Sequence, residues 1–414
     1  MRGLRLALAA GCGCALLAIA GCGGGSSSQQ NSSNSGGSGG GSTSANTVAV
    51  SVNPGPSSKF ALTNGVFVSV TVCKPGTSTC VTVPDVLLDT GSSGLRLLSS
   101  KVSAIGLTNV MAGGETLANC VQYLDNSYNW GPVATADVKM SGEVASSVPI
   151  QIIAEPGYGF AGAPGGCGGT PNNTVDTLLA NGILGVSFYP NDCGGACAPG
   201  TTFNPGNYYG CAGSACSVAE VAVAQQLQNP VGMFATDNNG LMLTLPSIAA
   251  SGVPSTSGTL TFGIGTQSDN ALGSATVLTP NSSGFFATTL NGNSTNVGFI
   301  DSGSSAMAFF DSTKTGLPAC LNYTGYYCPA SVATLTATNK GSNGKSSTVQ
   351  FNVESADQLL NGVNDAFSDL GSPGNDATFG AYFDWGLPFF YGRTVYVAIE
   401  NKSAGGTTGP YWAY

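Results

Sequence analysis

Between residues 47 and 90, apolar and polar positions alternate in three runs: TVAVSV, GVFVSVTVC and CVTVPDVLLDT. A period of two sends successive side chains to opposite faces, so each run is expected to be a strand with one buried face. The alternation returns in CVQYLDNSYNWGPVATADVKM (120–140), where Asp125, Asn126 and Ser127 mark a hairpin tip. LLANGILGVSF (178–188) is a nearly continuous apolar run, as expected of a buried strand ending in a turn. SVAEVAVAQQLQNP (217–230) has helical apolar spacing, a Ser217-x-x-Glu220 capping box and a Pro230 stop, and predicts one helix. Met233 to Leu245, broken by Asp237-Asn238-Asn239-Gly240, predicts another hairpin. Pro246 to Gly258 is rich in turn residues and poor in apolar ones, which places a boundary between two halves there. Gly, Ser, Thr, Asn and Val dominate and long helical patterns are few, so the fold class is all-β with a few short helices.

Against this background one pattern occurs twice. VLLDTGSSGLRLL carries Asp89 and VGFIDSGSSAMAFF carries Asp301. Each is an apolar strand running into Asp, Thr or Ser, Gly, Ser, Ser, which sets a carboxylate on a tight turn at the edge of a core. Two carboxylates sharing one site do not both ionise readily, so one keeps a proton and the pair serves as combined acid and base. With the intervening Asn-Gly-Ile-Leu-Gly (181–185), these motifs resemble those of the pepsin-like aspartic peptidases. The likeness extends over most of residues 60 to 400, although its strict motifs are short. The chain also resembles bacterial secreted lipoproteins grouped as a domain of unknown function.

The resemblance implies a two-lobed pepsin-like fold, with lobes at 47–250 and 251–414, and an aspartic endopeptidase. Asp89 and Asp301 would hold the attacking water, one as general base while the other protonates the scissile carbonyl. Thr90 and Ser302 would bond across the lobe junction. Gly91 and Gly303 would give the backbone room and offer amide donors, and Ser92 and Ser304 would bond the outer carboxylate oxygens. The hairpin at 120–140 stands where such enzymes carry a flap, with Tyr123, Tyr128 and Trp130 as flap candidates; the alternative is that all three are ordinary cross-strand aromatics. The family's tryptophan seven residues after the first aspartate is replaced by Arg96, which, pointing inward, would favour ionisation of the pair. Asp384-Trp385-Gly386 stands where two apolar residues and a glycine are expected in the second lobe. The alternative function is a non-catalytic pepsin-like binding or inhibitory module at the cell surface.

Composition narrows the chemistry. The chain has no histidine, which rules out a Ser-His-Asp triad, a Cys-His dyad and any histidine metal site. Twelve basic residues stand against 21 acidic ones, without a basic patch for nucleic acid. No cofactor and no metal is expected; the partner is a polypeptide substrate, and the protein is expected to be a monomer. Met1 to Gly21, with Arg2, Arg5 and a short apolar run, reads as a bacterial export signal, too short for a membrane-spanning helix. The small residues before Cys22 resemble a lipoprotein cleavage site, which makes Cys22 the expected lipidation site and implies an outer-membrane anchor. Residues 22–46, almost all Gly, Ser, Asn and Gln, are expected to form a flexible tether. Setting aside Cys12, Cys14 and Cys22 leaves ten of 13 cysteines, up to five disulfides in an oxidising compartment. Cys73 with Cys80, Cys193 with Cys197, Cys211 with Cys216 and Cys320 with Cys328 are spaced to close small loops.

Overall fold

The computed structural model describes residues 45–153, 163–376 and 378–414. The export segment, Cys22 and all but the last two residues of the tether lie outside the described residues. The chain folds as a two-lobed, predominantly β structure, and its alternating runs become the expected strands. Thr47–Val52, Val66–Cys73 and Cys80–Asp89 are neighbours in the larger sheet, and seven further strands form a second sheet. Strand Thr256–Phe262 lies in the larger sheet, between Thr47–Val52 and Gly240–Leu245.

Six short strands position the candidate site, and they form the same motif twice. Strand β1 (Cys80–Asp89) leads into the first aspartate loop and β2 (Ser93–Leu98) leaves it. Strand β3 (Gly182–Val186) threads between them, parallel to β1 with Gly185 opposite Asp89, and antiparallel to β2. In the second half β4 (Asn293–Ile300) leads into the Asp301 loop and β5 (Met307–Phe309) leaves it. There β6 (Phe383–Trp385) takes the threading place, parallel to β4 and antiparallel to β5. The Asp301 amide donates to the Trp385 carbonyl at 3.1 Å, which sets Gly386 opposite Asp301. A Cβ on Gly185 would lie 2.7 Å from Ser92 Oγ, so glycine is what lets β3 pass under the first loop.

Apolar burial holds both motifs to a common base. One cluster runs from Leu88, Leu95 and Leu184 beneath the first loop to Ile300, Met307 and Trp385 beneath the second. Each such side chain contributes roughly 1.5–3 kcal/mol when fully buried. Five disulfides add local closure: the four short-range pairs expected from spacing, and Cys120–Cys167, which the spacing left unpaired. Among the described residues no helix is long and apolar enough to cross a membrane.

Two sequence expectations fail. Residues 217–230 do not form a helix: Ala215–Val218 is a strand, and Val223–Gln225 and Pro230–Met233 are short 3-10 turns. The segment is a strap over the Cys193–Cys197 loop and the Tyr208–Ala212 strand, and it bonds to both of them instead of forming a continuous helix. Val221 N–H donates to Cys197, Ala219 N–H to Tyr208, and the Gln226 carboxamide pairs with the Gly194 backbone. Glu220, expected in a capping box, accepts instead from Gly200 N–H at 2.9 Å. The second failure is the hairpin at 233–245. Only Gly240–Leu245 is a strand, paired with Thr256–Phe262 and Arg393–Ala398. Asp237 and Asn239 are drawn off to Thr266, Gln267 and the backbone of Ile264 and Ser403, and Phe234 before them makes only a single bridge, to Ala145, so no hairpin forms.

Candidate active site

The two aspartate loops meet face to face at the junction of the lobes. Asp89 and Asp301 are completely buried. Each accepts the amide of the glycine two residues on, Gly91 to Asp89 Oδ1 and Gly303 to Asp301 Oδ1, both at 2.8 Å. Their outer oxygens meet serines: Ser92 Oγ donates to Asp89 Oδ2, and Ser304 Oγ lies 2.9 Å from Asp301 Oδ2. A Cβ on Gly91 would stand 2.7 Å from Asp301 Cγ, and one on Gly303 would stand 2.9 Å from Asp89 Oδ1. Each glycine therefore abuts the aspartate of the opposite loop, and the two carboxyls hydrogen-bond each other.

Thr90 and Ser302 lock this meeting. Thr90 N–H donates to Ser302 Oγ at 3.1 Å, and Ser302 N–H donates to Thr90 Oγ1 at 2.9 Å. Their hydroxyls cross over in turn, Ser302 to the Leu88 carbonyl at 2.7 Å and Thr90 to the Ile300 carbonyl at 3.3 Å. The exchange is two-fold symmetric and leaves each hydroxyl both donating and accepting.

The charges around the pair are not symmetric. Burial pushes both carboxyls above the usual carboxylate range, because the ionised form loses its hydration. Asp301 is pushed further up, since Asp89 and Asp384 lie beside it. The rise at Asp89 is opposed by Ser92, Asp301, the Gly91 amide and the Arg96 guanidinium. The buried pair therefore favours holding a shared proton, and Arg96 acts on it from the Asp89 side.

Arg96 does point inward. It is fully buried, donates to the Ser93 carbonyl at 2.9 Å, and lies 3.5 Å from Asp192 Oδ2. Asp192, which sequence reasoning missed, also takes the Tyr208 hydroxyl at 2.6 Å and the Asn119 amide at 3.0 Å. Together with Gly91, Ser92 and Tyr189, Arg96 and Asp192 line a recess beside the Asp89 loop. Asn64 was missed as well. It donates to the Ser305 carbonyl at 2.7 Å and accepts from Phe367 N–H and Tyr391, tying the first half to the second aspartate loop. A lone Asn or Asp far from either motif offers no sequence signal for such roles.

Of the flap candidates, Tyr123 packs with Leu87 and Ile183 beneath the first loop and hydrogen-bonds Asn129. Burial raises its hydroxyl far above the usual range, and both Arg96 and Asp89 act on it. Tyr128 and Trp130 belong to a different cluster, with the Cys120–Cys167 disulfide and Tyr209. Trp130 thus packs apart from Tyr123. The tip of this hairpin lies at Asp125–Asn126, as read from the sequence.

The family model described as "Protein of unknown function (DUF3443)" matches residues 42–414, and the chain belongs to that family. No curated protein sequence matches it. Among solved structures it is similar to the crystal structure of the aspartic proteinase from Irpex lacteus, at 18% identity and a TM-score of 0.49. That match covers 89% of this chain and 96% of the proteinase.

Proposed function

We propose that this DUF3443 member is an aspartic endopeptidase that hydrolyses peptide bonds of extended polypeptides with a water held between Asp89 and Asp301. The observation that carries this reading is the meeting of two equivalent loops that bury a pair of mutually hydrogen-bonded carboxyls. A purely structural turn has no use for such a pair, since burying two acids together costs stability that water would otherwise supply. Asp89, whose ionised form Arg96 favours, takes a proton from the water as it attacks the scissile carbonyl. Asp301 gives its proton to the carbonyl oxygen, and the tetrahedral adduct collapses as the proton now on Asp89 passes to the leaving amine while Asp301 takes back a hydroxyl proton, which re-forms the carbonyl and restores the pair. No covalent intermediate forms. The substrate lies extended across the junction and pairs with the 120–140 hairpin through its backbone. The five disulfides and the expected export signal support an exported, lipid-anchored protein outside the cytoplasm.

The test compares wild type with Asp89→Asn and Asp301→Asn for cleavage of an unfolded protein over about pH 2.5 to 7. Acid cleavage that is lost in both folded variants supports the reading. A folded wild type that cleaves at no pH and binds no statine-type transition-state mimic overturns it.

A further inference from the structure

The internal repeat makes one residue stand out. Asp384 on β6 sits opposite Phe299, two residues before Asp301, as Ile183 on β3 sits opposite Leu87, two residues before Asp89. The first half has an apolar side chain at this place, packed with Leu87 and Tyr123. The second half has a carboxyl that is 4% exposed.

Its contacts define its state. Asp384 Oδ2 lies 2.6 Å from Ser304 Oγ, and the same Oγ lies 2.9 Å from Asp301 Oδ2. A serine hydroxyl has one proton and cannot donate to two carboxylates at once. One of the two acids must therefore donate to Oγ. Asp384 Oδ1 is buried without a hydrogen-bond partner among the described residues, a place that suits a neutral acid far better than a carboxylate.

We propose that Asp384 is a neutral third carboxyl whose O–H donates to Ser304 Oγ, so that Ser304 donates to Asp301 and Asp301 in turn presents its proton toward Asp89. All the donors then point one way, and a single negative charge rests on Asp89, the end of the chain that Arg96 favours. Asp384 is a positioning residue; it orients the acid of the pair and does not touch the substrate. The titratable groups acting around it are Asp89 and Asp301 at the two loops and Tyr382 on its own chain segment. From the flanking strands β4 and β5 it faces Phe299 and Ala308, which carry no charge. Burial raises Asp384 well above the usual carboxylate range, and the charge on Asp89 adds to the rise.

The inference rests on the peptidase reading for its kinetic arm and stands apart from it in its spectroscopic arm. Two variants separate orientation from packing. Asp384→Asn keeps a donor to Ser304 and cannot ionise; Asp384→Leu supplies the apolar bulk of the first half and no donor. The expected result is a kcat for Asp384→Asn within about threefold of wild type at acid pH, with Asp384→Leu at least about tenfold lower in kcat at similar KM while folded and no less stable. In the infrared, wild type minus Asp384→Asn shows the carbonyl stretch of a protonated carboxylic acid that persists at neutral pH. Absence of that band, or a kcat for Asp384→Leu equal to that of Asp384→Asn, overturns the proposal. If wild type cleaves nothing, the peptidase reading fails, and the infrared difference still decides whether a neutral third acid is present.

Discussion

Thr90 and Ser302, 212 residues apart, exchange two hydrogen bonds across the junction, each amide donating to the other's hydroxyl, and each hydroxyl donates one more to the opposite strand. The exchange fixes how the two aspartate loops meet. It also ties the alignment of the pair to the cohesion of the lobes, since a shift that separates the loops breaks buried bonds on both sides.

Ser302→Ala removes the donor to the Leu88 carbonyl and the acceptor of the Thr90 amide. The expected loss is about 1–3 kcal/mol for each group left unsatisfied. Ser302→Thr restores the hydroxyl in the form the first half already uses, and is expected to be close to neutral. Urea unfolding of the two variants measures the difference, and cleavage follows the same order.

Gly91 has no room for a side chain. Gly91→Ala drives a methyl to 2.7 Å from Asp301 Cγ, and the opposite carboxyl must move. The expected stability cost is about 1–3 kcal/mol, typical of overpacking. On the proposed peptidase reading the expected activity loss is about a hundredfold, because the two carboxyls would no longer share one water. Paired unfolding and single-turnover measurements separate these effects.

Arg96 and Asp192 are a buried ion pair, and breaking one side strands the other. Arg96→Met is expected to cost about 3–5 kcal/mol near neutral pH. The double variant Arg96→Met, Asp192→Asn recovers part of that loss, because no uncompensated charge remains. Arg96 also favours the ionised form of Asp89, so its removal raises the proton affinity of that carboxyl. The acid limb of kcat/KM then moves to higher pH, which a pH profile of either variant reads directly.

Buried carboxyls make stability depend on pH in a specific direction. Asp89, Asp301 and Asp384 all titrate above the unfolded value of 3.8, so the folded state holds protons that the unfolded state releases. Their contribution is fully present below that value and is lost as pH rises toward their folded values. Each unit of upward displacement corresponds to about 1.4 kcal/mol. Unfolding free energy is expected to fall from about pH 4 toward neutral, and the slope flattens in Asp301→Asn, Asp384→Asn. A slope unchanged in the double variant contradicts this assignment.

What the sequence determined by itself was local and repeated. Alternation marked the strands, because a two-residue period is written into any strand with one buried face. The doubled Asp-Thr/Ser-Gly-Ser-Ser marked both loops, and its resemblance to the pepsin-like motifs supplied the roles expected of Thr90, Ser302, Gly91 and Gly303. The helix expected at 217–230 carried equally plain local signals, yet a strap over a disulfide loop took their place, because its backbone partners come from residues remote in the chain. Only the tertiary structure decided that Arg96 faces Asp192, that Asn64 reaches the second loop, and that Asp384 shares Ser304 with Asp301. The charge and hydrogen bonding of a buried polar side chain depend on which neighbours the fold delivers, and no local pattern records them.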